Sequence, residues 1–125
     1  MHFIPPPTVH VVADRTVVAL RGEIDLLSVP SVSERLDLLT AAHRPDMVLD
    51  LREVTFIDCS GLGLLCRARN RVTARHGRLR LVTDSPGFLR LLRPLGLVGV
   101  FEMYARLSDA LAGAPGADGL ADAVG

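Results

Sequence analysis

Ser60 stands in the stretch Thr55-Phe56-Ile57-Asp58-Cys59-Ser60-Gly61-Leu62-Gly63, between a short apolar run ending in Asp50-Leu51 and a long Leu/Arg segment of helical period. A hydroxyl at such a strand-to-helix junction has two uses. As an N-cap, Ser60 would accept a hydrogen bond from the free amides of the following turn. As an acceptor of a phosphoryl group, it would profit from the same turn. Gly61 and Gly63 keep the helix start bare, and unpaired N–H groups at the positive end of a helix dipole stabilise an anion. The two readings are compatible, and the spacing alone leaves both open.

Other chemistries fit these residues less well. A hydrolase nucleophile elbow requires glycine two places before the serine and a partner histidine, but position 58 is Asp. His43 and His76 fall at expected helix ends, and the four histidines, with His2 and His10, have no paired ligand spacing for a metal. Gly61-Leu62-Gly63 lacks the third glycine of a dinucleotide loop, and there is no Walker motif. Asp25 and Asp58 have the types needed for paired acid–base work, and equally for solvation or capping at strand ends. No catalytic residue, cofactor or metal is expected.

The motif Asp58-Cys59-Ser60-Gly61-Leu62-Gly63 resembles the phosphorylation-site motif of STAS domains, specifically the bacterial anti-sigma factor antagonists, whose usual form is Asp-Ser-Ser/Thr-Gly-Leu-Gly. A second block, Gly22-Glu23-Ile24-Asp25 followed by Val29-Pro30, resembles that family's upstream signature. The likeness covers about residues 8 to 112. Its one departure inside the motif is Cys59, where serine is usual, and position 60 keeps its hydroxyl. The resemblance implies that the unphosphorylated chain binds an anti-sigma factor that is also a serine kinase, so that a sigma factor is released. Phosphorylation at Ser60 would end that binding and a serine phosphatase would restore it, with ATP and magnesium belonging to the kinase. Gly61 and Gly63 would let the partner's backbone approach, while Asp25 and Asp58 would supply local negative potential. Leu62, off the expected inner face of its helix, would be partly exposed and touch the partner. Cys59 would be a small filler of the turn or, as a thiol at a helix start, a redox group. The resemblance admits an alternative, a STAS scaffold or nucleotide-binding module of a larger signalling or transport assembly.

Composition sets the frame. At 125 residues, 49% of them hydrophobic and only 4% aromatic, the chain supports one domain with an aliphatic core. Equal numbers of basic and acidic residues leave a formal net charge of zero, against the basic excess of a nucleic-acid binder, so a protein partner is expected. Met1 to Pro7 is too short and proline-rich for a signal peptide and reads as an extended lead-in; no apolar run approaches the ~20 residues of a membrane span. The chain is accordingly expected to be cytoplasmic. Cys59 and Cys66, about 10 Å apart along a helix axis, are beyond disulfide reach and should be free.

The elements that must hold the site follow in order. Val9 to Ala13 and Thr16 to Arg21, separated by Asp14-Arg15, are β-branched-rich and predict a hairpin. Gly22 to Leu27 reads as a loop carrying Glu23 and Asp25, and Ser28 as the cap of a helix reaching about Ala42. Met47 to Leu51 is a short buried strand. In the next helix Gly61, Leu64, Leu65, Ala68 and Val72 share one face and Arg67, Arg71 and Arg75 another, a solvated stripe or a partner contact. Gly77 ends it. Leu79 to Val82 is a strand, Ser85-Pro86 opens a helix that stops before Gly96, Val98 to Met103 reads as a last strand and Leu107 to Ala112 as a last helix. The residues from 113 to 125, nearly all Gly, Ala, Pro and Asp with two isolated apolar residues, read as a disordered tail. The fold class is α/β: a single STAS-like domain with a mixed four- to five-stranded sheet covered by helices. If strands joined through a helix run parallel, the Asp25 loop and the Asp58-to-Ser60 loop emerge side by side at one sheet edge.

Overall fold

A computed structural model describes residues 6 to 112. Ten elements follow one another: β1 (Thr8–Val12), β2 (Arg15–Ile24), α1 (Val29–Leu39), β3 (Asp46–Ile57), α2 (Cys59–Ala74), β4 (Arg78–Val82), α3 (Pro86–Leu92), a 3-10 turn (Arg93–Leu95), β5 (Glu102–Tyr104) and α4 (Leu107–Ala112). The strands form one sheet in the order β1-β2-β3-β4-β5, antiparallel between β1 and β2 and parallel elsewhere. The expected mixed sheet with helices over it is therefore the observed fold. The lead-in over residues 1 to 5 and the tail over 113 to 125 lie outside the described residues.

Alternation along the strands sorts the core into two layers. Val18, Leu20, Ile24, Met47, Leu49, Leu51, Leu79 and Leu81 face α1, α2 and α3, meeting Val32, Leu36, Leu64, Leu65, Ala68, Val72, Phe88 and Leu92. Val17, Val48 and Val82 point the other way, against Ala110 of α4. Both faces of the central strands are thus covered, which is why the sequence of β3 begins as a nearly unbroken apolar run.

Several boundaries differ from the reading of the sequence. The hairpin turn is Ala13-Asp14, both at positive φ (50° and 67°), as a two-residue turn with the right-handed twist requires. Gly22 and Glu23 belong to β2, and Gly22, at φ 75°, stands at a register shift against β3. Helix α1 ends at Leu39, where buried Thr40 turns its hydroxyl back to the Leu36 carbonyl (2.8 Å). β3 runs six residues past the expected end at Leu51 because β2 accompanies it to Ile57. Pro94 has no N–H to give, so α3 passes into the 3-10 turn before Gly96 takes the left-handed conformation (φ 71°). β5 is shorter than expected, and residues 97 to 101 form irregular chain lying against α2, where Arg69 Nε donates to the Val100 carbonyl (3.1 Å).

Two members of the arginine stripe, Arg67 and Arg71, are engaged within the molecule, while no side-chain bond is made by Arg75 to a described residue. Arg67 donates to the Asp37 carboxylate (2.8 and 3.2 Å), while Arg71 donates to the Asp37 carbonyl (3.1 Å) and the Thr40 hydroxyl (2.9 Å). These bonds clamp α2 to α1. The hydrogen bond from Arg67, with the charges of Arg67 and Arg71, holds the Asp37 carboxyl below its ordinary range against a smaller opposing effect of burial.

Candidate functional site

At the start of α2 the cap is Asp58, not Ser60. Asp58 has extended backbone (φ −110°, ψ −170°), and its Oδ1 accepts from the Gly61 amide at 3.0 Å. An Asp-Cys-Ser-Gly run offers two capping residues two places apart, and the carboxylate takes the role because β2 fixes position 58: the Asp58 amide donates to the Ile24 carbonyl (3.3 Å), the last rung of the β2–β3 ladder. Ser60 consequently sits inside the first helical turn, half-buried. Its hydroxyl bonds to no described residue, and neither does its amide or that of Cys59. The helix start therefore offers an acceptor oxygen and two unpaired donors. Three other serine hydroxyls are engaged: Ser28 Oγ donates to the Glu23 carbonyl (2.8 Å), Ser31 Oγ donates to the Ser28 carbonyl (3.3 Å) and Ser85 Oγ accepts from the Phe88 amide (3.3 Å), whereas those of Ser33 and Ser108, like that of Ser60, bond to no described residue.

The two glycines have different physical roles. A Cβ at Gly61 would overlap the Ile24 carbonyl oxygen and Ile57 Cγ1, so Gly61 lets the first turn of α2 sit down on the ends of β2 and β3. It is an internal packing requirement and leaves no space there for a partner's backbone. A Cβ at Gly63 would meet nothing within 4 Å, and that position is exposed.

Parallel pairing of Ile24 with Ile57 brings the Asp25 loop beside Asp58, as expected. Asp25 is a structural acceptor there. Its Oδ1 takes the amides of Leu27 (3.0 Å) and Ser28 (3.2 Å), and its carbonyl takes the Val29 amide (2.9 Å). Ser28 reciprocates with Oγ accepting from the Asp25 amide (2.9 Å), so it closes the loop rather than capping α1, for which its side chain makes no bond. This exchange holds Leu26 and Leu27 outward at 71% and 63% exposure.

Leu62 is the site residue that the structure moves furthest from its expected place. It is 4% exposed and belongs to the main core. The row it shares with Cys66 and Arg69 is not an outer face, because residues 97 to 101 cover that side of α2 and the first turn is sunk against the strand ends. The exposed apolar residues at this edge are instead Leu26, Leu27 and Phe56, the last at 51%. The reading of the sequence passed over all three. Two adjacent leucines in a polar turn held by Asp25 and Ser28 were the available signal. Cys59 is exposed and Cys66 half-buried, both free thiols.

Below the edge, buried Asp50 is gripped by Arg52 through Nε (2.9 Å) and Nη2 (2.8 Å). Burial raises the Asp50 pKa, but the hydrogen bonds and charge of Arg52 outweigh it and hold the carboxyl below its ordinary value. Among the described residues no group of three or more His, Cys, Asp or Glu could hold a metal, and no helix is long and apolar enough to cross a membrane.

Comparison with known proteins places the chain in a family and a fold. The family model described as the STAS domain matches residues 6–110. The anti-sigma-B factor antagonist of Bacillus subtilis is 32% identical over 89 residues, 71% of this chain and 81% of the relative. A crystal structure of an anti-sigma factor antagonist from Mycobacterium paratuberculosis superposes with a TM-score of 0.76 at 28% identity, covering 84% of this chain and 89% of the other. The Bacillus cell fate determinant SpoIIAA in its phosphorylated form shares the fold, with a TM-score of 0.66 at 24% identity over 84% of this chain and 96% of the other. The chain belongs to the STAS domain family and, within it, to the anti-sigma factor antagonists.

Proposed function

We propose that this chain is the phosphorylatable half of a partner switch. Unphosphorylated, it binds an anti-sigma factor that is also a serine kinase, and the sigma factor held by that protein is released. The kinase, supplying ATP and magnesium, then transfers a phosphoryl group to Ser60. A bond forms between Ser60 Oγ and the γ-phosphorus as the bond to the β–γ bridging oxygen breaks; ADP leaves, and the hydroxyl proton passes to a base of the kinase. A serine phosphatase hydrolyses the ester and restores binding. All of this takes place in the cytoplasm, without nucleic acid or membrane.

The observation that carries the reading is the half-buried Ser60 hydroxyl, unbonded to any described residue, beside the unpaired amides of Cys59 and Ser60. Around it, Asp25, Asp58, Cys59 and Gly63 form the polar and open part of the partner surface. Leu26, Leu27 and Phe56 are its apolar anchors, whereas Gly61 and Leu62 act from beneath by setting the height of the turn. A phosphate of about −1.5 to −2 charge in the middle of apolar contacts and beside two carboxylates would have to be desolvated on binding, which disfavours the complex.

Incubation with the kinase and ATP, followed by peptide mass spectrometry, tests the assignment. Phosphate is expected on Ser60 alone among Ser28, Ser31, Ser33, Ser60, Ser85 and Ser108, and Ser60→Ala should abolish it. Full modification of Ser60→Ala would refute it.

A further inference from the structure

We propose that the outer end of β3 is a docking edge for a short extended segment of the same partner protein, which adds to the sheet as a strand in the groove between β3 and α3. The inference rests on the partner reading above for the identity of the occupant, and on the sheet topology for the place.

β3 has strand neighbours on both sides only from Met47 to Asp50. Beyond that point β2 continues beside it to Ile57, while β4 ends at Val82 and the chain turns away into α3. One edge of residues 51 to 57 therefore has no strand partner among the described residues. The Arg52 amide on this stretch is already taken by Asp50 Oδ1 (3.1 Å), which leaves Val54 to Ile57, roughly 13 Å of strand at ~3.3 Å per residue. Beside this edge lies an open cavity of about 300 Å³, lined by Leu51, Val54 and Phe56 of β3 and by Ser85, Gly87 and Phe88 at the start of α3.

The chemistry of the occupant follows from the lining. Main-chain donors and acceptors along a strand edge are matched by another main chain, and an apolar hollow beside them takes alternate aliphatic side chains of that segment. A second copy of this chain is a poor fit. The two register shifts in β3 bend the edge and the exposed charges of Arg52 and Glu53 close its lower end, devices that discourage long edge-to-edge pairing but leave room for a few residues. The groove is continuous with the phosphoacceptor loop, since Phe56 and Ile57 lead directly into Asp58, Cys59 and Ser60. A partner seated on Ser60 therefore has the edge within its footprint.

Gly87 provides the test, because a Cβ there would make only ordinary contacts, 3.5 Å from Ser85 Oγ and 3.8 Å from Arg90 Nη2, and Ser60 is not among its neighbours. Each anti-sigma factor of the source organism would be titrated against the unphosphorylated full chain, and the one that binds would be used for Gly87→Ala and Gly87→Leu. Gly87→Leu, which fills the groove, should weaken binding by at least ~10-fold, while Gly87→Ala stays within about twofold. In the parent complex those amides from Val54 to Ile57 whose N–H groups point away from β2 should gain protection from hydrogen exchange. The proposal fails if folded Gly87→Leu binds as the parent does, or if none of these amides gains protection; should Gly87→Leu not fold, the exchange result decides alone. Protection at Val54 to Ile57 with binding that is indifferent to phosphate on Ser60 would keep the edge and refute the switch, and the opposite pair of results would do the reverse. If no anti-sigma factor binds the parent chain, both are refuted.

Discussion

Asp58, Ser60, Gly61 and Gly63 show how a six-residue motif divides its work. Asp58 caps the helix, which frees Ser60 from that task and leaves its hydroxyl available; had Ser60 been the cap, its oxygen would already be engaged by the helix. The sequence made the place of the Ser60 hydroxyl at the helix start legible but not the cap, because two good capping residues stand two places apart and only the ladder bond from Asp58 to Ile24 decides between them. Leu62 was misread for a related reason, since helical periodicity describes one buried face, and the cover over its row comes from residues 97 to 101, far along the chain. The glycines yield opposite predictions. Gly61→Ala should destabilise the fold by about 1–3 kcal/mol through overlap with Ile24 and Ile57. Gly63→Ala should raise stability by up to ~1 kcal/mol through helix propensity, yet weaken partner binding because the open approach is lost. Urea unfolding and calorimetric titration of both variants check this; a Gly63→Ala variant that binds as tightly as the parent would remove Gly63 from the interface.

Among the elements, the strands and helices that hold the site were legible in type and order, because β-branched runs and helical spacing are local signals. Their lengths were not. β3 looked five residues long from Met47 to Leu51, since Arg52 and Glu53 interrupt the apolar run; pairing with β2 carries it on to Ile57. The clamp of α2 on α1 was equally hidden, because an arginine row gives no sign of whether an acid 30 residues away faces it. Asp37→Ala removes that acid while leaving the Arg71 bonds to the Asp37 carbonyl and the Thr40 hydroxyl. The loss should be below ~1 kcal/mol and should shrink in high salt, as for other exposed ion pairs. Chemical denaturation at low and high salt checks it, and a loss of several kcal/mol would mean that the clamp orders α1 as well.

For the whole molecule, α4 and the last strands are tied to the sheet by a charged network on the face opposite α1 and α2. Arg80, 1% exposed, donates to Asp46 (2.6 Å), Arg78 and Tyr104 both donate to Glu102, and Arg15 reaches Asp46 and the Leu111 carbonyl. Burial raises the Glu102 pKa, but the hydrogen bonds from Arg78 and Tyr104 and the charges of Arg78 and Arg80 hold it below its ordinary 4.5. A carboxyl depressed in the folded state contributes stability above its unfolded pKa and loses it as the pH falls through the folded value. Stability should therefore be level near neutrality and fall below about pH 4.5, with Asp50 contributing in the same sense below about 3.8. Glu102→Gln should flatten the acid limb in thermal melts and lower the neutral plateau; an unchanged limb would show that the network is not coupled to folding.

This network lies on the far face and includes no residue of the turn from Asp58 to Gly63, so a charge added at Ser60 should leave the fold standing. A phosphate at a helix start gains about 0.3–1 kcal/mol from the dipole, small beside the ~5–15 kcal/mol that holds a domain together. Its effect should be felt at the surface formed by Leu26, Leu27, Phe56 and Gly63. The direct measurement is the affinity of the anti-sigma factor for this chain with and without phosphate on Ser60, at equal thermal stability. The account predicts a loss of at least ~10-fold on phosphorylation, equivalent to about 1.4 kcal/mol or more. Equal affinity of the two forms would contradict it.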